Sequence, residues 1–219
     1  LNLSKGNIIA GLFGVGGAAL LYGFSREMAD TSREFGQLVI DPVFFGVGVP
    51  RGDGHPVIVI PGFLASDYYL QTLRGWLARI GYSPYASGIK RNTGHLPPLI
   101  EQVVTVCELA AREHNGARST LIGHSLGGVI ARRIAQRQPE LVRQVVTLGS
   151  PVARERTPLS PSIPFTAIYS RADRIVRYPR ALAPDNSHNL EIEGCHVGMV
   201  FNSQVYRDLG ELLNQPRPS

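Results

Sequence analysis

Short apolar runs alternate with amphipathic stretches along most of this chain. Val57–Ile60, Ser83–Ser87, Thr120–Gly123, Val145–Leu148, Phe165–Tyr169 and Leu190–Ile192 are compact segments. Several are continuously apolar and rich in β-branched residues, the pattern of parallel strands buried on both faces. Between them the period changes. Tyr69, Leu73, Trp76, Leu77 and Ile80 form one stripe of a helix over Tyr68–Ile80, and Leu99, Val103, Val106, Cys107 and Ala110 form another over Leu99–Glu113. Gly81 and Gly116 stand where helices stop. A last helical pattern runs from Val197 to Leu213. Strands alternating with helices predict a three-layer αβα sandwich on a mostly parallel sheet of about six strands.

The first fifty residues do not fit this alternation. Asn7 to Phe24 is an uncharged run of 18 residues between Lys5 and Arg26, at the lower limit for a membrane span. Its glycines weaken a soluble helix but suit a membrane one. As a cleavable leader it is poor, because Glu27-Met28-Ala29 lacks the small residue expected two positions before Ala29. Two readings follow for residues 7–24: a helix packed on or covering the domain, and a peripheral membrane contact. A polar stretch from Arg26 to Gln37 comes next. The chain thus divides into an N-terminal segment (1–50) and a main domain (51–219).

Composition narrows the possibilities. With 219 residues, 43% hydrophobic and 18% charged, the chain suits one packed domain and excludes wholesale disorder. Two cysteines, Cys107 and Cys195, are no disulfide framework and form no C-x-x-C; such usage is compatible with the cytoplasm or the cell envelope. The net charge of +5 comes from scattered arginines, with only Lys5 and Lys90 as lysines. No aromatic-interleaved basic stripe accompanies them, so the charge reads as a surface favouring anionic membranes or substrates, not as a nucleic-acid site. No histidine or carboxylate cluster has metal-ligand spacing, and no cofactor is expected.

The chemistry concentrates at Thr120-Leu121-Ile122-Gly123-His124-Ser125-Leu126-Gly127-Gly128. An apolar strand enters G-x-S-x-G and a helical pattern leaves it, with Arg132 and Arg133 expected outward. A sharp strand-to-helix turn pushes the Ser125 hydroxyl out at the carboxyl end of the sheet and needs small residues at Gly123 and Gly127. The following helix start offers backbone N–H groups to a developing oxyanion.

GHSLGG at 123–128, with VIVIPGFL at 57–64 before it, resembles an α/β-hydrolase of the bacterial lipase/esterase type over roughly Pro56–Leu213. The resemblance implies the chain order nucleophile, acid, base. Asp173, just past the strand Phe165–Tyr169, resembles the acid; Asp185 is a rival in the turn-rich Pro184–Ser187. His196 in Gly-Cys-His-Val-Gly-Met resembles the histidine loop. His124 is given a packing or shaping role and His188 lies at the wrong end of the sheet. His55, His95 and His114 read as loop or surface residues, with His95 a candidate for the cleft.

The oxyanion hole implied by the resemblance uses the Leu126 N–H and the Phe63 N–H, with Leu64 as alternative. Pro61 stands where many relatives carry histidine. The fourteen residues Pro151–Pro164 are too few for a cap domain. Phe63, Leu64, Tyr68, Tyr69, Leu159, Ile163, Val197 and Met199 are candidates for an apolar acyl wall, with Leu64, Tyr68 and Val197 the foremost. The expected function is a serine esterase or lipase acting on apolar acyl esters, lipids or polyesters. Acyltransferase or thioesterase chemistry and a non-catalytic lipid- or partner-binding domain are the alternatives.

Overall fold

A computed structural model describes residues 17–155, 157–184 and 188–215, with side chains from residue 27 onward. Six parallel strands form the sheet: β1 (Pro56–Ile60), β2 (Ser83–Ala86), β3 (Ser119–His124), β4 (Val142–Leu148), β5 (Phe165–Tyr169) and β6 (His188–Glu191), in the order β2-β1-β3-β4-β5-β6. The reversal beside β1 places the crevice at the carboxyl ends of the central strands.

The strand pleat builds two cores. Val57 and Val59 point to one face, where they meet Leu38, Trp76, Tyr206 and Leu209. Ile58 and Ile60 point to the other, where they meet Val103, Cys107, Val129 and Ile134. Helices α1 (Gly17–Ile40), α2 (Gln71–Arg79) and α6 (Ser203–Asn214) therefore share one face, and α3 (Leu96–Glu113) and α4 (Leu126–Arg137) the other. A single turn, α5 (Tyr178–Ala181), follows β5. This is the expected three-layer sandwich. The edge strands β2 and β6 are short and partly exposed, which limits edge-to-edge pairing.

Local departures have simple causes. Helix α3 starts three residues early because Pro97-Pro98 fit a first turn that needs no amide donors. The two predicted helices at 68–80 and 197–213 each open as a 3-10 turn, Asp67–Leu70 and Val197–Phe201. Asn202 then caps α6, accepting from the Gln204 and Val205 amides at 3.0 and 3.3 Å.

The largest difference lies at the N-terminus. Residues 26–37, read as a polar stretch, are the middle of the 24-residue helix α1. Its inward stripe is Glu27, Thr31, Glu34 and Leu38, all buried, and three of the four are polar. Residues 7–16 of the apolar run lie outside the described residues, among which no helix is long and apolar enough to cross a membrane.

Arg132 also departs from expectation. It is fully buried, donating from Nη2 to the Glu155 and Thr157 carbonyls at 2.8 Å each, with its guanidinium over the Phe165 ring. It thereby ties the β4–β5 connection to α4. Arg133 does face outward, paired with Glu155 at 2.9 Å.

Candidate active site

Ser125 stands between β3 and α4 with φ 53° and ψ −122°, a conformation L-residues rarely adopt. The turn is possible because its neighbours lack side chains. A Cβ on Gly127 would lie 2.2 Å from the Ile60 carbonyl oxygen, and one on Gly123 would lie 2.4 Å from the Gly127 backbone. Leu126 is the first residue of α4, where an N–H has no intrahelical acceptor.

Asp173 and His196 come together. The His196 Nδ1 lies 2.7 Å from Asp173 Oδ2, and Asp173 Oδ1 accepts from the Ile175 and Val176 amides at 2.8 and 2.7 Å. Those two amides fix the carboxylate and leave its second oxygen to the imidazole. Ser125 and His196 line one cavity. Gly149, at φ +55°, sits against the pair: a Cβ there would lie 3.1 Å from both Asp173 Oδ2 and His196 Nδ1. Asp185 lies outside the described residues. Nothing in the local sequence singles out Gly149, since only the crossing of three loops makes its missing side chain matter.

Four side chains grip the backbone of the histidine loop. Glu34 Oε1 accepts from the Cys195 N–H at 2.8 Å, and Glu27 Oε2 from the Val197 N–H at 3.1 Å. The His196 carbonyl accepts from His124 Nε2 at 2.9 Å, and the Val197 carbonyl from the Tyr69 hydroxyl. Burial, reinforced by the neighbouring His196, lowers His124 to about 3, so its ring is neutral and donates from Nε2. Burial raises Glu27, against the pull of the Val197 N–H, the Cys195 thiol and His196. Burial also raises the Cys195 thiol, to about 12, which makes it a packed residue and not a nucleophile.

The loop after β1 is braced by Asn92, which the sequence did not mark. Fully buried, Asn92 donates from Nδ2 to the Pro61 carbonyl at 2.9 Å, and its own carbonyl accepts from the Leu64 N–H at 2.8 Å. Asn92 thus braces the loop at Pro61 and Leu64. The Leu64 amide is engaged by the Asn92 carbonyl, and the Leu64 side chain lines the cavity.

The cavity has a volume of about 560 Å³, within the ordinary range for small-molecule sites. Phe63, Leu64, Tyr68, Tyr69 and Val197 line it as expected, joined by Met28 and Thr31 of α1, Ile175 and Phe201. Leu159, Ile163 and Met199 do not: the first two pack on the α3/α4 face and Met199 is buried in the opposite core. His95 is exposed at the start of α3 and lies off the cavity wall. His114 is a surface partner of Tyr85, and His188 opens β6 at the amino end of the sheet. His55, read as a loop or surface residue, lies in the loop before β1 but is buried between Asp53 and Thr120. Among the described residues no cluster of three or more histidine, cysteine or acidic side chains could hold a metal.

The chain has the α/β-hydrolase fold. The family model for palmitoyl protein thioesterase matches residues 56–162. Among solved structures, the chain is similar to an esterase of Pyrococcus furiosus (17% identity, TM-score 0.57, covering 74% of this chain and 83% of that one). It is also similar to a monoacylglycerol lipase of Paleococcus ferrophilus (16%, 0.55, 74% and 96%) and to a Listeria innocua gene product (13%, 0.61, 76% and 96%).

Proposed function

We propose that the protein is a serine hydrolase of apolar acyl esters, working through an acyl-enzyme on Ser125. The observation that carries this reading is the meeting of Ser125 and His196 on one largely apolar cavity, with Asp173 fixed behind the imidazole. In the proposed reaction Ser125 Oγ attacks the ester carbonyl while His196 takes its proton. The anion forms against the Phe63 and Leu126 N–H groups. The carbon–alkoxy bond breaks as His196 returns the proton to the departing alcohol. Water, activated by the same imidazole, then attacks the acyl carbonyl, and Ser125 leaves with the proton. Asp173 holds the imidazole tautomer throughout.

The lining of Phe63, Leu64, Tyr68, Ile175, Val197 and Met28 supports an apolar acyl group. A second reading, a thioesterase using the same residues, is favoured by the palmitoyl protein thioesterase match over residues 56–162. It differs only in a thiolate leaving group, which needs less help from the general acid.

The test is hydrolysis of p-nitrophenyl esters from acetate to palmitate beside palmitoyl thioesters, with Ser125→Ala as control and a fluorophosphonate probe for the nucleophile. Turnover of long-chain esters, lost in Ser125→Ala together with labelling, supports the first reading. A marked preference for the thioester moves the second ahead. Folded protein that neither turns over nor labels would sink both.

A further inference from the structure

We propose that Glu27 and Glu34 are positioning residues for His196: from one face of α1 they hold the amides on either side of the imidazole-bearing residue. The inference rests on His196 acting as the base proposed above. The two carboxylates stand seven residues apart, two turns of α1, and both are buried. Glu27 takes the Val197 N–H at 3.1 Å; Glu34 takes the Cys195 N–H at 2.8 Å with one oxygen and Asn202 Nδ2 at 3.1 Å with the other. The loop lies directly on these groups. A Cβ on Gly198 would come within 2.6 Å of the Glu34 carboxylate, and one on Gly194 within 3.0 Å.

Burying a carboxylate is costly unless charge-assisted hydrogen bonds compensate it. A helix that merely covered the core would bury apolar side chains at these positions, as Leu38 of the same helix does. Here the acceptors face backbone donors that flank the proposed base. Asp30 of α1 also pairs with Arg174, next to Asp173, at 3.0 Å, so the same helix reaches the acid loop. The N-terminal helix is therefore part of the apparatus that aligns the site, beyond its share of the cavity wall through Met28 and Thr31.

The two glutamates differ in a way that makes the idea testable. Glu27 uses one oxygen on one amide, so a glutamine can keep that bond. Glu34 uses both oxygens on N–H donors, so a glutamine must turn its own donor toward one of them. Four variants of the full chain, Glu27→Ala, Glu27→Gln, Glu34→Ala and Glu34→Gln, are compared for kcat, KM and the rate of fluorophosphonate labelling. Thermal melting reports the fold, and hydrogen exchange reads the Cys195 and Val197 amides.

The expected result is a loss of about 10- to 100-fold in kcat and labelling rate for Glu27→Ala, Glu34→Ala and Glu34→Gln. KM should stay within about threefold and Glu27→Gln should recover most of the rate, because only alignment of the base has changed. Faster exchange at Val197 in Glu27→Ala and at Cys195 in Glu34→Ala should accompany the loss. If the alanine variants melt lower yet label at the wild-type rate, α1 is packing and the proposal is overturned. Where an alanine variant does not fold, its isosteric glutamine partner decides: wild-type labelling by Glu34→Gln overturns it equally. An inert wild type overturns the hydrolase reading itself, whereas the proposal alone fails only among variants of an active wild type.

Discussion

Two aspartate–histidine pairs stand at opposite ends of the sheet, each beside a hydroxyl residue at one end of β3. Asp173 and His196 are 2.7 Å apart at the carboxyl end, near Ser125; Asp53 and His55 are 2.6 Å apart at the amino end, where His55 Nε2 lies 3.0 Å from Thr120 Oγ1. Both imidazoles are buried. The pairs differ in what surrounds them. The Asp173 carboxylate is 1% exposed and held by two amides, whereas that of Asp53 is 60% exposed. Thr120 sits within β3, paired on both sides with β1 and β4 beside a register shift at Ser119/Thr120, and has no exposed surface. Ser125 sits past the strand's end in a left-handed conformation on a cavity wall. An acid–imidazole–hydroxyl series therefore does not make a reactive site. In one place it staples a loop to a strand, and in the other the backbone turns the hydroxyl toward a space a substrate can fill.

The sharpest way to break the comparison is to remove each hydroxyl. Ser125→Ala should lower kcat by about 10⁴–10⁶ on the best p-nitrophenyl ester. Thr120→Val should leave kcat within about twofold and cost about 1 kcal/mol of stability, read from the urea midpoint. A comparable loss of activity in both would make the amino-end series more than a staple. On the acid side, Asp173→Asn should cost about 10⁴ in kcat, because the amide favours the wrong imidazole tautomer. Retention of a tenth of the activity by that variant would remove Asp173 from the proposed triad.

Two smaller effects sharpen the carboxyl-end site. Gly149→Ala brings a methyl group against the Asp173–His196 bond and strains a backbone at φ +55°. The expected loss in kcat is about 10-fold or more, with KM little changed; an unchanged kcat would show that the pair has room to adjust. His124 is lowered to about 3, below its unfolded value of 6.5. The unfolded chain therefore binds the proton more readily between those values, and stability falls as pH drops through that window. His124→Gln, which can still donate to the His196 carbonyl without titrating, should show a flatter melting-temperature profile between pH 7 and 4. A profile as steep as wild type would place the sensitivity elsewhere.

The centre of the sheet was legible because its strands are buried on both faces. Val57–Ile60 has no polar position, and Phe165–Tyr169 interrupts its apolar run only with the buried Thr166 before ending at Tyr169. The elbow was legible too, since its glycine requirement is local to six residues. Helix α1 was hidden for a physical reason. Its inward stripe of Glu27, Thr31, Glu34 and Leu38 has helical spacing but mostly polar chemistry, and a search for apolar periodicity passes over it. The two glutamates are met inside by amide donors on a loop more than 160 residues away. Asn92 and Gly149 were missed in the same way. Asn92 braces a loop about thirty residues earlier, and Gly149 is needed only where the β4, β5 and β6 connections converge. Arg132 misled for the opposite reason: a cation on a helix reads as solvent-facing until two carbonyls and a ring enclose it.

The gentlest test returns to the amino-end pair. Burial acts to raise the Asp53 carboxyl, but the His55 amide and imidazole, with Arg143 further off, lower it to about 2 from an ordinary 3.8. The unfolded chain thus holds more protons between those two values. The pair's contribution is fully present above about pH 4 and disappears as pH falls toward 2. Because Asp53 is mostly exposed, solvent screening keeps that contribution below about 1 kcal/mol. Asp53→Asn should leave ester turnover within about twofold and lower the melting temperature slightly at pH 5–7. The gap from wild type should close as pH approaches 2, because the protonated aspartate then resembles the amide. A gap that stays constant would mean that the loop depends on the side chain's shape and neutral hydrogen bond. A loss of turnover at neutral pH would mean that the two ends of β3 are coupled, and that the staple helps hold the strand on which Ser125 is carried.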